Sequence, residues 1–194
     1  MTSARTAIPA WNSAGWLPPV QPGESGSSAA RSPYPVDLLD VIERFATSPE
    51  RVKILDGLLR FRVDLHRAGI VTGFQWLDGS FLEQVEVLEQ RPPRDLDVVN
   101  FLDLSKVDQS ALALQHSALF HHGQVKKTYA LDAYTIQIGG ILDGESVKTI
   151  SYWYSMWSHR RGGQWKGFLQ VNLNTKQDSF ARELLNSKGS IDHD

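Results

Sequence analysis

Apolar positions recur at helical period in one long stretch of the chain and form strand-length blocks elsewhere. From Ser48 onward, Val52, Leu55, Leu58, Leu59, Val63 and Leu65 fall close to one helical face. Ser48 supplies an N-cap, Pro49 takes the first helical position, Glu50 suits the positive helix end and Gly69 provides the stop. A shorter amphipathic helix precedes it over Val36–Ala46 (VDLLDVIERFA). GIVTGFQWLDGSF reads as a strand entering a turn at Asp78-Gly79-Ser80. Residues 95–104 (DLDVVNFLDL) read as a second strand and residues 129–138 (YALDAYTIQI) as a third. Between the last two, Ser105 with Asp108 opens a helix through Ala111, Leu112, Leu114 and Leu119. Residues 146–157 (SVKTISYWYSMW) predict an aromatic-rich helix, and GGQWKGFLQVNL a turn with a final strand. Helices interspersed with strands, without a regular βαβ repeat, predict an α+β layer fold.

The pattern dissolves at both ends. Residues 1–35 hold six of the nine prolines, three glycines and six serines, yet also Ile8, Trp11, Trp16, Leu17 and Val20. Such a composition disfavours regular structure, while its apolar side chains need a surface. It predicts an arm docked on the domain and most mobile between Pro22 and Ser32. The domain proper is then 36–186, and 187–194 a polar, frayed tail. Hydrophobic residues at 41% of a 194-residue chain suffice for a core. The absence of cysteine excludes disulfides, iron–sulfur clusters, thiol nucleophiles and Cys-type zinc sites. A formal net charge of −2 offers no global cationic field to nucleic acid or membrane. No apolar run approaches the roughly 20 residues of a bilayer span, and the N-terminus lacks a secretory signal. The expectation is a soluble, cytoplasmic protein without membrane insertion.

Candidate chemistry concentrates in Gly79-Ser80, a fourteen-residue spacer, and Asp95-Leu96-Asp97. Residues i and i+2 of a strand share a face, so Asp95 and Asp97 stand side by side. Uncompensated, such a pair is expensive, and the usual relief is a hard divalent cation completed by water and phosphate oxygens. Asp132 interrupts the next apolar strand. If that strand neighbours the first, three carboxylates converge and would hold two Mg²⁺ roughly 4 Å apart for phosphoryl displacement. Gly79 allows close backbone approach, and its amide with the Ser80 hydroxyl would bind phosphate. Arg160, Arg161 and Lys166 cluster around Gly162-Gly163, with Trp165 between them. They would grip a triphosphate or an acceptor strand, or else form a solvated hairpin tip. Trp153 and Trp157, at i and i+4, read as core packing. His116, His121 and His122 match no zinc spacing and read as solvated helix ends.

Strand, Gly-Ser, spacer, Asp-x-Asp and a third strand aspartate together resemble the DNA polymerase β-like nucleotidyltransferase superfamily. More narrowly, the chain resembles a bacterial family of small nucleotidyltransferase-like proteins of poorly assigned function. The resemblance spans residues 8–173 and rests on Ile8-Pro9, Gly15, Leu17-Pro18-Pro19, the strand end Trp76–Phe81, and an aromatic helix leading to Lys166-Gly167. It implies a polymerase β-like fold, a mixed β-sheet flanked by helices. It also implies transfer of a nucleoside monophosphate from a (d)NTP such as ATP to a hydroxyl acceptor, with pyrophosphate release. Asp95 and Asp97 would hold two Mg²⁺ or Mn²⁺ ions, Asp132 would complete the catalytic one, and Gly79 and Ser80 would bind phosphate. The acceptor is left open between a protein side chain and a single-stranded oligonucleotide. Superfamily relatives of this size suggest a bacterial phage-defence or toxin–antitoxin setting, with an operon-encoded effector or toxin as partner. The competing expectation is a non-catalytic antitoxin that keeps the fold to bind and neutralise its partner; a nucleic-acid-binding module is a third, disfavoured by the charge.

Overall fold

The first element of the domain is one that the hydrophobic pattern does not announce. In the computed structural model, which describes residues 7–190, Tyr34–Val36 forms strand β1, and the amphipathic stretch becomes helical only at α1 (Leu38–Phe45). Pro35 has no amide hydrogen, which suits β1 to the sheet edge it occupies. Helix α2 (Pro49–Arg67) starts where the sequence predicts, with the Ser48 hydroxyl accepting the Arg51 amide. Strand β2 (Gly73–Asp78) leads into a 3₁₀ turn, Ser80–Leu82, and a one-turn helix α3 (Val85–Leu88). Strand β3 is Leu96–Asp103. The next helix, α4 (Gln109–Gln115), is capped by Asp108 and not by Ser105: the carboxylate accepts both the Ser110 and Ala111 amides. Leu119 falls in a separate 3₁₀ turn, Ser117–Phe120. An unpredicted helix α5 (His122–Tyr129) then precedes β4 (Leu131–Ile138), shortening the expected strand at its start. Helix α6 (Gly144–Trp157), strand β5 (Leu169–Asn172) and helix α7 (Asp178–Ser190) complete the described chain.

The strands form one mixed sheet in the order β1-β5-β2-β3-β4. Strand β2 is antiparallel to β5 and β3, whereas β3 and β4 run parallel. The fold is thus α+β, a five-stranded mixed sheet flanked by helices. On one face, Arg62 of α2 is fully buried and grips three elements and a loop at once. It holds both oxygens of Asp178 at 2.8 Å, the Gln75 side chain at 2.8 Å, and the carbonyls of Asn172 and Asn174 at 3.1 Å. Gln75 in turn donates to Asn100 (2.7 Å), and Asn100 to the Tyr134 carbonyl (3.0 Å). A continuous polar chain therefore runs from α7 through β2 and β3 to β4 and locks their register. The other face carries Phe74, Trp76 and Phe101, and α6 leans on it through Trp153, Tyr154 and Trp157. Trp157 is buried and Trp153 half-buried, so this pair packs as its spacing suggests.

The N-terminal arm lies on the domain over its described part. Leu17 is buried, the Trp11 indole donates to the Leu82 carbonyl (2.7 Å) and the Trp16 indole to that of Trp165 (3.2 Å). The stretch 22–32 is a loop closed by a Val20–Arg31 bridge, and the buried Ser32 hydroxyl accepts the Phe168 amide. At the other end α7 runs into the stretch expected as a tail. Ser187 to Ser190 belong to α7, and Lys188 pairs with Glu43 at 3.2 Å. Residues 1–6 of the arm and 191–194 of the tail lie outside the described residues. Among the described residues no helix is long and apolar enough to cross a membrane.

Arg62→Met would leave the Asp178 carboxylate and Gln75 without their partner inside the fold. Breaking a buried pair this way costs about 3–5 kcal/mol. Urea unfolding should show that loss, whereas Arg67→Met, which removes a surface pair with Asp64 at 3.2 Å, should cost less than about 1 kcal/mol.

Candidate active site

Three strands deliver one carboxylate each to the same spot. Asp78 ends β2 and lies opposite Asp97 of β3, which lies opposite Asp132 of β4. Directly paired residues project from one face, so the three acids stand in a row. Asp95, two residues before Asp97, joins them from the segment entering β3. The condition set by the sequence, that the Asp132 strand neighbour the Asp95–Asp97 strand, is met by parallel pairing of β3 and β4. Asp103 stands at the far end of β3, with its carboxylate turned to the Ser105 amide at 2.9 Å.

Gly79 closes the row from above. Its φ is +89°, and a Cβ at this position would lie 2.8 Å from the Asp97 carboxyl carbon. Only glycine lets the backbone press on that carboxylate. The loop that follows is held from behind. Buried Arg51 of α2 donates to the carbonyls of Phe81 (2.6 Å) and Glu83 (2.7 Å) while pairing with Glu86. The arm adds Trp11 on the Leu82 carbonyl, and the Gly15 carbonyl accepts the Gln84 amide (2.8 Å). Gly79 and Ser80 thus sit at the start of a braced turn.

The charge of the row is answered from two sides. Lys166 is buried, with Nζ 2.9 Å from Asp78 and 3.3 Å from Glu83. Burial pushes the Asp78 carboxyl up and Lys166 only partly offsets it; the Lys166 ammonium is itself held up by Asp78 and Glu83 against its own burial. On the other side, Lys126 of α5 reaches between Asp95 (2.8 Å) and Asp132 (2.9 Å). His122, one turn earlier, places Nε2 on the other Asp132 oxygen. Burial raises Asp132, but Lys126 and His122 outweigh it and keep the carboxyl below its ordinary range. Asp97 has no such partner. Burial, reinforced by the charges of Asp95 and Asp132, pushes it up to about 6. Among the described residues no three His, Asp or Glu side chains are set to hold a metal ion together; Asp95 and Asp132 close on the Lys126 ammonium instead.

The structure brings Asp95, Asp97, Asp132 and Gly79 together, with Ser80 next in line, but it splits the expected basic hairpin. Lys166 is no part of a solvated tip. It lies inside, beneath Asp78, because two inward carboxylates need a cation there. Arg160 is committed to Glu83 (3.0 Å) and lies over the Trp16 ring at 4.6 Å. Arg161 is exposed at the tip, and Trp165 is exposed with its ring 4.0 Å from that of His159. Sequence reasoning missed Lys126 and took His122 for a solvated helix end. Their signal is weak but present: His122 and Lys126 are spaced i, i+4, six residues before an acid that had no evident counter-ion. Tyr134, two residues beyond Asp132 on the same face, is a further neighbour, its hydroxyl proton held more tightly by burial and by the Asp132 charge.

Residues 9–172 match a family of unknown function (DUF6932), and the chain belongs to that family. No curated protein and no solved structure matches the chain.

In metal-free protein, carboxyl-carbon NMR should show Asp97 titrating near pH 6, with Asp132 titrating below the ordinary carboxylate range. Asp95→Asn removes one of the like charges that raise Asp97 and should lower its midpoint. Because the folded value is raised above the ordinary value of 3.8, the folded state binds the extra proton. This group's contribution therefore falls as pH rises from about 4 to about 6 and is constant above that window. An Asp97 midpoint near 4 would contradict the packing of Gly79 and the two acids around it. Lys166→Met should cost about 3–5 kcal/mol in urea unfolding, since it strands the buried Asp78 while Glu83 keeps Arg160.

Proposed function

We propose that the protein is a metal-dependent nucleotidyltransferase of the polymerase β-like kind. It would move a nucleoside monophosphate from a (d)NTP to the hydroxyl of a protein side chain or oligonucleotide and release pyrophosphate. The observation that carries this reading is the row Asp78–Asp97–Asp132 across three paired strands, with the Gly79 backbone pressed against its middle member.

The donor set suits a hard divalent ion: Asp95, Asp97 and Asp132 offer carboxylate oxygens only. A cation is already drawn to the spot in the form of the Lys126 ammonium. Asp95, Asp97 and Asp132 would hold Mg²⁺ or Mn²⁺, which supplies Lewis-acid stabilisation of the attacking and leaving oxygens. The chain's own groups then have distinct tasks. Asp132 stays ionised at neutral pH and would accept a hydrogen bond from the acceptor hydroxyl, orienting it for attack. The Gly79 amide and Ser80 hydroxyl open the braced turn and would bind phosphate oxygens. Arg161, exposed at the hairpin tip, remains available to phosphate or to an acceptor strand. Lys166 acts through Asp78 and Glu83 and so is a positioning residue.

A second reading has one observation in its favour. Lys126 already neutralises two of the acids, as a site retained for structure would require. On that reading the protein is a non-catalytic antitoxin that binds and neutralises an operon-encoded partner in a phage-defence or toxin–antitoxin system.

Incubation of the full chain with α-labelled NTPs and dNTPs, Mg²⁺ or Mn²⁺, and protein or oligonucleotide acceptors separates the two. Label entering an acceptor supports transfer, and Asp132→Asn should then reduce the rate by about 10²-fold or more without lowering the melting temperature. No label with any nucleotide, metal or acceptor overturns the catalytic reading and leaves the binding one.

A further inference from the structure

We propose that Lys126 is a tethered competitor for the cation site: it occupies the carboxylate cluster in the resting protein and is displaced when a divalent ion loads. The inference rests on the metal-site reading above and adds a regulation of that site. The Lys126 ammonium touches Asp95 and Asp132 at 2.8 and 2.9 Å, two of the three carboxylates that would hold the ion. It does not complete the cluster. Asp97, paired with Asp132 across the two strands and two residues from Asp95, makes no ion pair with the Lys126 ammonium. A single positive charge on a fixed stem thus compensates two of three acids, whereas a divalent ion carries the charge to answer all three. Lys126 also has a way out. Its side chain is 44 % exposed, so release returns the ammonium to water with little desolvation to reverse. Only Val125 of α5 is buried, so the helix keeps its seat without the lysine contact. His122 stays on Asp132 and holds that carboxylate in place during the exchange.

A tethered competitor lowers affinity in proportion to the time it occupies the site; nine-tenths occupancy corresponds to a roughly tenfold weaker dissociation constant. The test is Mn²⁺ titration of the full chain without nucleotide, by calorimetry and by electron paramagnetic resonance of free Mn²⁺. Wild type is compared with Lys126→Met, and with Lys126→Gln, which keeps hydrogen-bond donors should the methionine variant fail to fold. We expect Mn²⁺ to bind the variants about tenfold more tightly. Their metal-free melting temperature should drop through unrelieved repulsion, and their Mn²⁺-induced rise should exceed that of wild type. Equal or weaker Mn²⁺ binding by both variants overturns the competitor role and leaves the metal site standing. Mn²⁺ binding by none of the three proteins overturns the metal site and the competitor together.

Discussion

Carboxylates in adjacent rows of one sheet face repel one another, and much of what surrounds Asp78, Asp97 and Asp132 answers that repulsion. Like charges directly opposite across strands destabilise a sheet, yet here the register brings them opposite twice over. The two outer members are each given a cation: Lys166 beneath Asp78 and Lys126 beside Asp132. The middle member is given none, and burial together with the charges of Asp95 and Asp132 raises its proton affinity. Burial raises that of Asp78 as well, despite Lys166, so the load falls on Asp78 and Asp97, and the Gly79 backbone presses on the second of them.

Holding that arrangement takes fixed strands and a fixed helix. The strands are fixed by the polar chain from Arg62 through Gln75 and Asn100 to the Tyr134 carbonyl, which runs on the opposite face from the acids. A slip of one residue in β3 or β4 would break it and would also turn the carboxylates to the wrong side. The helix is α5, and its seat depends on Gly57 of α2. A Cβ there would lie 1.8 Å from the Tyr129 carbonyl at the end of α5. Tyr129 is pinned further by its hydroxyl on Asp64 (2.8 Å) and by its ring against Phe61 (5.3 Å). Lys126 lies one turn before that anchor, so contacts with α2 help determine where its ammonium falls.

This division explains what the sequence discloses. The long helix, strands β2, β3 and β4 and the acids at their ends are local patterns: a cap with its proline, apolar blocks, and charges interrupting them. Helix α5 is not local. HHGQVKKTY buries only Val125 and shows no apolar stripe; it is a helix because α2 and β4 leave it a seat. With α5 hidden, the counter-ion of Asp132 was hidden too. Lys166 illustrates the reverse case. Its glycine-rich, basic surroundings suggest a phosphate grip or a solvated tip, but the decisive sign lies elsewhere, in Asp78 and Glu83 flanking the apolar Phe81 and Leu82. Two acids turned inward at the end of a buried strand call for a buried cation, and none of the nearer basic residues meets that need.

The buried group of Lys166, Asp78 and Glu83 is a poor way to gain stability. Well-packed apolar side chains of similar volume would match or exceed it, because the desolvation of three charges offsets most of their attraction. Apolar packing, however, would not tie the hairpin carrying Arg160 to both ends of the turn that contains Gly79 and Ser80. Lys166 reaches Asp78 just before that turn and Glu83 just after it, while Arg160 takes the other Glu83 oxygen. Arg51 meanwhile grips the turn's backbone from the helix side. The turn is thus clamped by cations from two directions at a stability cost that packing alone does not require. A backbone held so firmly against a carboxylate row is organised before any ligand arrives, and that preorganisation is what the proposed phosphate recognition would demand.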